Sequence, residues 1–199
     1  AVATAAAVAR RLGKRSVEAG NAFGFVGNRM LYAYGRERES LMLEGATPWQ
    51  VDGAMEAFGM AMGPNAVSDL AGIDVGVSAR QGWSGRPTDP RYFRISEVLV
   101  ARGIEPRKVD DAEIVERCTL ALVNEGARLL DAGIARAASD IDVIWCLGYG
   151  FPRHRGGPMH HAAELGFPSV VGSLRSLHRA TGDPSWMPAR RGPTTAQAS

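Results

Sequence analysis

The feature that most constrains the fold is an internal repeat of helix signals. Pro64 and Gly72 lie eight positions apart, and so do Pro158 and Gly166. Proline suits the first turn of a helix and glycine suits the position just past its end, so each pair delimits one short helix. Asp52 and Asp142 hold matching places in the helical segments that precede these pairs. We therefore predict an all-α chain that contains two copies of one helical unit.

Other capping signals give the same organisation. Thr47-Pro48 has the pattern of a helix start, with a capping side chain followed by proline. Asp110 followed by Glu113 predicts the start of a long helix in the second half, and Ser139 predicts the cap of the next one. Apolar residues then recur at steps of three and four, as on one face of a helix: Val51, Ala54, Met55 and Phe58 in the first half, and Val115, Cys118, Leu122, Gly126 and Leu129 in the second.

A repeat of this kind has a physical reason. A unit of three short helices cannot bury its own apolar face, and therefore needs a partner of similar shape. Two copies in one chain can pack around a pseudo-twofold axis, as the subunits of a symmetric dimer do. We expect the two units to form such a pseudo-dimer.

Composition and charge exclude several classes of protein. The net charge of +2 is too small to indicate nucleic acid as a partner. No apolar run approaches the roughly 18 residues of a membrane span, so no membrane association is expected. The two cysteines, Cys118 and Cys146, lie in apolar helical patterns and are predicted to be buried thiols of a cytoplasmic protein. The alanine-rich start, Ala1 to Arg10, has the pattern of a helix cut part-way along, and we expect the chain to be a fragment of a longer protein.

The segment Gly24-Phe25-Val26-Gly27-Asn28-Arg29 has the pattern of a tight turn into a long helix. A short strand-like run, Lys14 to Gly20, precedes it. Asn28 falls in the first turn of the predicted helix, where two interpretations are open. Its side chain is either a helix cap or an amide that orients a catalytic base or a substrate oxygen.

Several motifs in this order resemble one enzyme family. They are Gly24 to Arg29, Met62-Gly63-Pro64, Ser68 to Asp74, Ala121 to Gly126, Gly148 to Pro152 and Arg155 to Met159. Together they resemble the C-terminal helical region of the 3-hydroxyacyl-CoA dehydrogenases, in particular the multifunctional enzymes of fatty-acid oxidation. The resemblance covers roughly Lys14 to His178, which is nearly the whole chain.

The resemblance implies a function and a set of site residues. It implies the C-terminal part of an NAD-dependent dehydrogenase of fatty-acid β-oxidation, which closes the acyl-CoA cleft against an upstream NAD-binding domain. By resemblance Asn28 is the catalytic residue, beside the catalytic histidine and the 3-oxygen of a 3-hydroxyacyl-CoA substrate. Arg29, Met62, Gly63 and Pro64 are the candidate substrate-binding residues.

The cofactor is expected to bind elsewhere. No glycine-rich strand-to-helix turn for NAD is found in the sequence, so no cofactor-binding residue is assigned, and no metal site is expected from His160-His161. Many family members also carry a stretch whose lysine reaches the cofactor. That stretch is absent between Ile95 and Pro106. The chain alone is therefore predicted to be inactive and not to bind NAD.

The resemblance also divides the chain. We predict a remnant of the nucleotide-binding domain and its linker at 1–23, the first helical unit at 24–81, a linker at 82–110, the second helical unit at 111–182 and a disordered tail at 183–199. Whether the parent is a homo-oligomer stays open. Two alternatives remain: a non-catalytic helical interaction module, and the helical domain of another two-domain NAD(P)-dependent oxidoreductase, such as a relative of 6-phosphogluconate dehydrogenase.

Overall fold

A computed structural model describes residues 1–72, 75 and 107–190 of the 199. Within these residues the fold is all-α, as predicted, with two single turns of 3₁₀-helix at Arg153–Arg155 and Pro184–Trp186. The α-helices are α1 (Val2–Arg11), α2 (Gly27–Leu43), α3 (Pro48–Phe58), α4 (Pro64–Ala71), α5 (Asp111–Asp131), α6 (Ala138–Gly148), α7 (Pro158–Leu165) and α8 (Phe167–Thr181). The prediction of a strand-like run at Lys14 to Gly20 is wrong. In the described chain this run forms only an isolated β-bridge, between Ala19 and Ala135.

Most of the predicted helix boundaries follow from the local chemistry. The Thr47 hydroxyl accepts a hydrogen bond from the Gln50 N–H at the start of α3, and Gly59 ends that helix with φ +117°. The Asp110 carboxylate accepts from the Glu113 N–H at the start of α5. The predicted Ser139 cap is wrong, because α6 begins at Ala138 and its N-cap, Ala137, has no capping side chain.

The two repeats share one internal hydrogen-bond pattern. The Asp52 carboxylate of α3 accepts from the backbone N–H of Asn65 and Ala66 in the first turn of α4. The Asp142 carboxylate of α6 accepts from Met159 and His160 in the first turn of α7. Each aspartate therefore satisfies N–H groups that the helix start would otherwise leave unpaired. This explains why both units carry an aspartate at that place.

The units are joined by a pair of reciprocal ion pairs between α2 and α5. Arg29 Nε of α2 lies 2.7 Å from a Glu125 oxygen of α5, and Arg117 Nε of α5 lies 2.5 Å from a Glu37 oxygen of α2. In both helices the arginine precedes the glutamate by eight positions. Each unit therefore supplies an arginine to the other unit's glutamate, which is the pattern of a self-complementary interface.

Two apolar clusters hold the helices together. The larger joins α2, α3, α5 and α6 through fully buried side chains: Met30, Leu41, Met55, Leu122, Ile141 and Trp145. The smaller joins α5, α7, α8 and the last 3₁₀ turn: Leu120, Val123, Ala162, Val170, Leu174 and Trp186. Helix α5 contributes to both clusters and is the central element of the fold.

Two of the predicted segments, the tail and the linker, differ from the structure in part and lie partly outside the described residues. The predicted disordered tail at 183–199 is wrong at its start, because Trp186 is buried at 1% exposure and Asn124 donates to the carbonyls of Ser185 and Met187. Residues 191–199 lie outside the described chain. The predicted linker at 82–110 lies mostly outside it too, but its last residues are packed: Val109 is buried and the Arg107 N–H donates to the Glu44 carbonyl.

Candidate functional site

The glycine motif forms a tight loop that leads into α2. Gly24 has φ +69° and Phe25 has φ +47°, so two successive residues are in the left-handed region. A Cβ atom on Gly24 would lie 2.8 Å from the Arg29 nitrogen, closer than side chains approach, so only glycine fits there. The Arg29 N–H donates to the Gly24 carbonyl, which closes the loop on the first turn of the helix.

The loop places Asn28 in the first turn of α2 with an exposed side chain. The cap interpretation of Asn28 is wrong, because the N-cap residue is Val26 and no side chain caps this helix. Instead the Asn28 Oδ1 atom accepts a hydrogen bond of 2.7 Å from the Tyr149 hydroxyl of the second unit. In the described part of the chain no protein acceptor is found for the Asn28 amide N–H groups.

The Tyr149 ring is held from two sides. It stacks on Trp145 with a ring separation of 4.9 Å and an angle of 27° between the planes. On the other side it lies against Gly27, where a Cβ atom would meet the ring at 2.3 Å. Burial, with a smaller contribution from Tyr32, raises the pKa of Tyr149, so its hydroxyl stays protonated and can donate at neutral pH.

No role was predicted for Tyr149, although it lies in one of the motifs of the resemblance. The reason is its separation from Asn28, which is 121 positions. Residues so far apart, in different units, have no local pattern that would connect them. The one sequence signal was that Asn28 and Tyr149 each lie in a glycine-containing motif of the resemblance.

Arg29 is part of the interface between the units. Its guanidinium pairs with Glu125, whose side chain is 1% exposed and also lies 3.4 Å from Arg128. Arg29 therefore forms an ion pair between the two units. A direct contact of Arg29 with substrate stays a prediction.

Met62, Gly63 and Pro64 lie at the start of α4. Gly63 donates its N–H to Glu56 and has no room for a side chain, since a Cβ atom would lie 2.3 Å from the Asp52 side chain. Pro64 is buried and its carbonyl accepts from Arg38, whereas the Met62 side chain is 38% exposed. Among the described residues, no hydrogen bond or ion pair joins these three to Asn28. Their part in substrate binding stays a prediction.

A groove of about 560 Å³ lies beside the Asn28–Tyr149 pair. One wall is the glycine loop with Phe25, and the other is α6 with Val143 and Leu147. These three apolar side chains are between 38% and 58% exposed, an unusual arrangement for residues of this kind. Arg15 lies at the same groove and supplies positive charge. The groove is therefore largely apolar, and it is connected to Asn28 through Tyr149, which is part of its lining.

Groups that could bind a metal or react as nucleophiles are sparse in the described residues. Nowhere in 1–72, 75 and 107–190 do three or more His, Cys, Asp or Glu side chains converge as a metal site requires. Cys118 is a free, fully buried thiol whose pKa is raised by burial. Cys146 is also free and is partly buried.

The segment that contains the glycine loop is similar to a known protein family. Residues 24–112, which include the glycine loop, Asn28 and the first unit, match the family described as "3-hydroxyacyl-CoA dehydrogenase, C-terminal domain". This segment belongs to that family. The match begins at the glycine whose positive φ makes the turn into α2.

Individual relatives extend the similarity over most of the chain. A peroxisomal bifunctional enzyme of Danio rerio is 40% identical and one of Homo sapiens is 36% identical, each over 92% of this chain. A fatty acid oxidation complex subunit alpha of Acinetobacter baumannii is 28% identical over 86% of it. The chain spans about a third of the length of these relatives. The alignment with the Danio rerio enzyme has 234 positions, so that enzyme carries residues with no counterpart among the 199 here.

Among the described residues, no helix combines the length and the apolar character needed to span a bilayer.

Proposed function

We propose that this chain is the C-terminal part of an NAD-dependent 3-hydroxyacyl-CoA dehydrogenase of fatty-acid β-oxidation. The family match and the names of the relatives support this assignment. The observation that carries it is the exposed Asn28 amide, held beside an apolar groove by a turn that only glycine permits. An oriented amide next to an apolar channel suits a substrate with one reactive oxygen on a long acyl chain.

In this proposal the chain's own residues bind and orient the substrate. The Asn28 N–H groups donate to the 3-oxygen of the 3-hydroxyacyl-CoA and stabilise negative charge that develops there. The acyl chain lies in the groove of Phe25, Val143 and Leu147. The catalytic histidine and its acidic partner belong to the upstream domain. Arg29, Met62, Gly63 and Pro64 complete the substrate-binding surface when that domain closes on it.

NAD is proposed to bind to the upstream domain. A dinucleotide site of the usual kind needs a glycine-rich turn between a strand and a helix. The described residues form only an isolated β-bridge and provide no such turn. No step of the reaction is therefore assigned to a cofactor contact within this chain.

The second role that we propose is structural. The two units, 24–81 and 111–182, form a pseudo-dimer in which the second unit takes the place of a partner subunit. The reciprocal ion pairs Arg29–Glu125 and Arg117–Glu37 support this arrangement. Residues 1–23 are proposed as the end of the nucleotide-binding domain with its linker, and 82–110 as the linker between the units.

Steady-state assays of two proteins test the enzymatic proposal. The parent protein, with its upstream domain, should form NADH from NAD and a 3-hydroxyacyl-CoA, as followed by absorbance. The 199-residue chain alone should form none. A parent without activity would favour the alternative of a non-catalytic helical interaction module. A parent that oxidises other hydroxy substrates but no acyl-CoA would favour another two-domain oxidoreductase.

We further propose that the parent is cytoplasmic, as expected from its composition and its free thiols. Cell fractionation tests this location. Several relatives are named as peroxisomal enzymes, and recovery of the parent in peroxisomes would contradict the proposal.

A further inference from the structure

The amide of Asn28 can present either of two faces to a ligand. Its oxygen accepts hydrogen bonds and its nitrogen donates them, and rotation by half a turn about the last side-chain bond exchanges the two. An amide that turns freely would present a donor to the substrate oxygen for only part of the time. Something must therefore fix the orientation if the proposed role of Asn28 is to be efficient.

The Tyr149 hydroxyl is placed to do this. It donates to Asn28 Oδ1 over 2.7 Å and so occupies the acceptor side of the amide. The N–H groups then face away from Tyr149. Because burial raises the pKa of Tyr149, the hydroxyl keeps at neutral pH the proton that it donates to Asn28.

The tyrosine is itself rigid. Trp145 stacks on its ring, and the missing side chain of Gly27 makes the space that the ring fills. Trp145 is fully buried in the main core, so this support is anchored in the body of the second unit. The chain of contacts runs from the core through Trp145 and Tyr149 to Asn28.

From this geometry we infer that Tyr149 is a positioning residue for the dehydrogenase reaction, which orients the Asn28 amide with its N–H groups toward the substrate oxygen. The inference rests on the proposed function, since it assumes that Asn28 acts on a 3-hydroxyacyl-CoA. It means that the second unit takes part in the active site of the first. The site is then incomplete without both halves of the repeat.

The test uses the full-length parent protein with NAD and 3-hydroxybutyryl-CoA. Tyr149→Phe removes the hydroxyl and keeps the ring that stacks on Trp145. We expect kcat to fall roughly tenfold, because a misoriented group loses reaction rate, while KM and the thermal midpoint change little. In an Asn28→Ala background the same substitution should cause no further loss of kcat, because the group that it positions is gone.

Tyr34→Phe is the matched control. Tyr34 also packs against Trp145, with ring centroids 6.3 Å apart, and its buried hydroxyl has no hydrogen-bond partner among the described residues. This variant loses the same atom near the same tryptophan and should keep wild-type kcat.

The outcomes separate the two proposals. If Asn28→Ala lowers kcat and Tyr149→Phe does not, the positioning role is wrong and the proposed function stands. If Tyr149→Phe lowers kcat by the same factor with and without the Asn28 amide, Tyr149 acts independently of Asn28 and the inference is also wrong. A wild-type parent that forms no NADH overturns the proposed function and the inference together.

Discussion

At the scale of single residues, the glycines beside the two equivalent aspartates show how closely the chain is packed. A Cβ atom would lie 2.3 Å from the Asp52 side chain at Gly63 and 2.4 Å from the Asp142 side chain at Gly157. Both aspartates also hold the first turn of the following helix through hydrogen bonds. A methyl group at either position would displace the carboxylate from these bonds.

We predict that Gly63→Ala destabilises the 199-residue chain by about 1–3 kcal/mol, the usual cost of inserting a group into a packed site. The measurement is denaturant unfolding of the purified chain. Gly53→Ala is the control, because Gly53 lies within α3 with open space around its Cα. It should raise the free energy of unfolding by about 0.4–1 kcal/mol. Equal stability of the two variants would contradict the packing described here.

Sequence patterns predicted some residue roles and not others. The equivalence of Asp52 and Asp142 could be predicted because each aspartate lies in the helical segment that precedes a proline and a glycine eight positions apart. The cap role considered for Asn28 was wrong because an asparagine near a helix start has the same local pattern whether it caps or binds elsewhere. The Tyr149–Asn28 contact depends on how the units pack, and no local pattern encodes it.

At the scale of helices, proline and glycine marked the boundaries well, and the apolar face of α3 is buried at all four predicted positions. The prediction failed at the start of the tail, where the 3₁₀ turn at Pro184–Trp186 extends the second unit beyond 182. The sequence from 183 onward is polar and contains Pro and Gly, which are typical of a loop. Tertiary contacts order it instead, because Asn124 and Arg128 both donate to the Ser185 carbonyl.

The buried tryptophan of that turn gives a direct test. Trp186→Ala should destabilise the chain by about 3–5 kcal/mol, because it opens a cavity between α5 and α8. Trp49→Ala is the control, since the Trp49 side chain is 81% exposed, and it should change stability by less than about 0.5 kcal/mol. Thermal unfolding followed by circular dichroism compares them. Matching melting curves for Trp186→Ala and the wild type would show that the turn contributes nothing.

At the scale of the whole molecule, the contact between the units is charged as well as apolar. Arg117 is 4% exposed and bonds to Glu37, Glu44 and Glu113. Its loss would leave the buried Glu37 carboxylate without this ion pair, whereas Glu44 and Glu113 would keep Arg107. We predict that Arg117→Met costs about 3–5 kcal/mol of stability. Adding Glu37→Leu should recover part of this loss, because the second change removes the unpaired charge. A double variant whose loss equals the sum of the single losses would contradict a coupled pair across the interface.

The central proposal is that this helical chain supplies one catalytic amide, Asn28, to a 3-hydroxyacyl-CoA dehydrogenase. The most direct test measures kcat and the thermal midpoint of the full-length parent with Asn28→Ala. Since Asn28 does not cap α2 and its side chain is exposed, the thermal midpoint should stay close to that of the wild type. We predict that kcat falls about 10²–10³-fold, the usual effect of removing one donor to a developing negative charge. A variant that keeps wild-type kcat would contradict the claim.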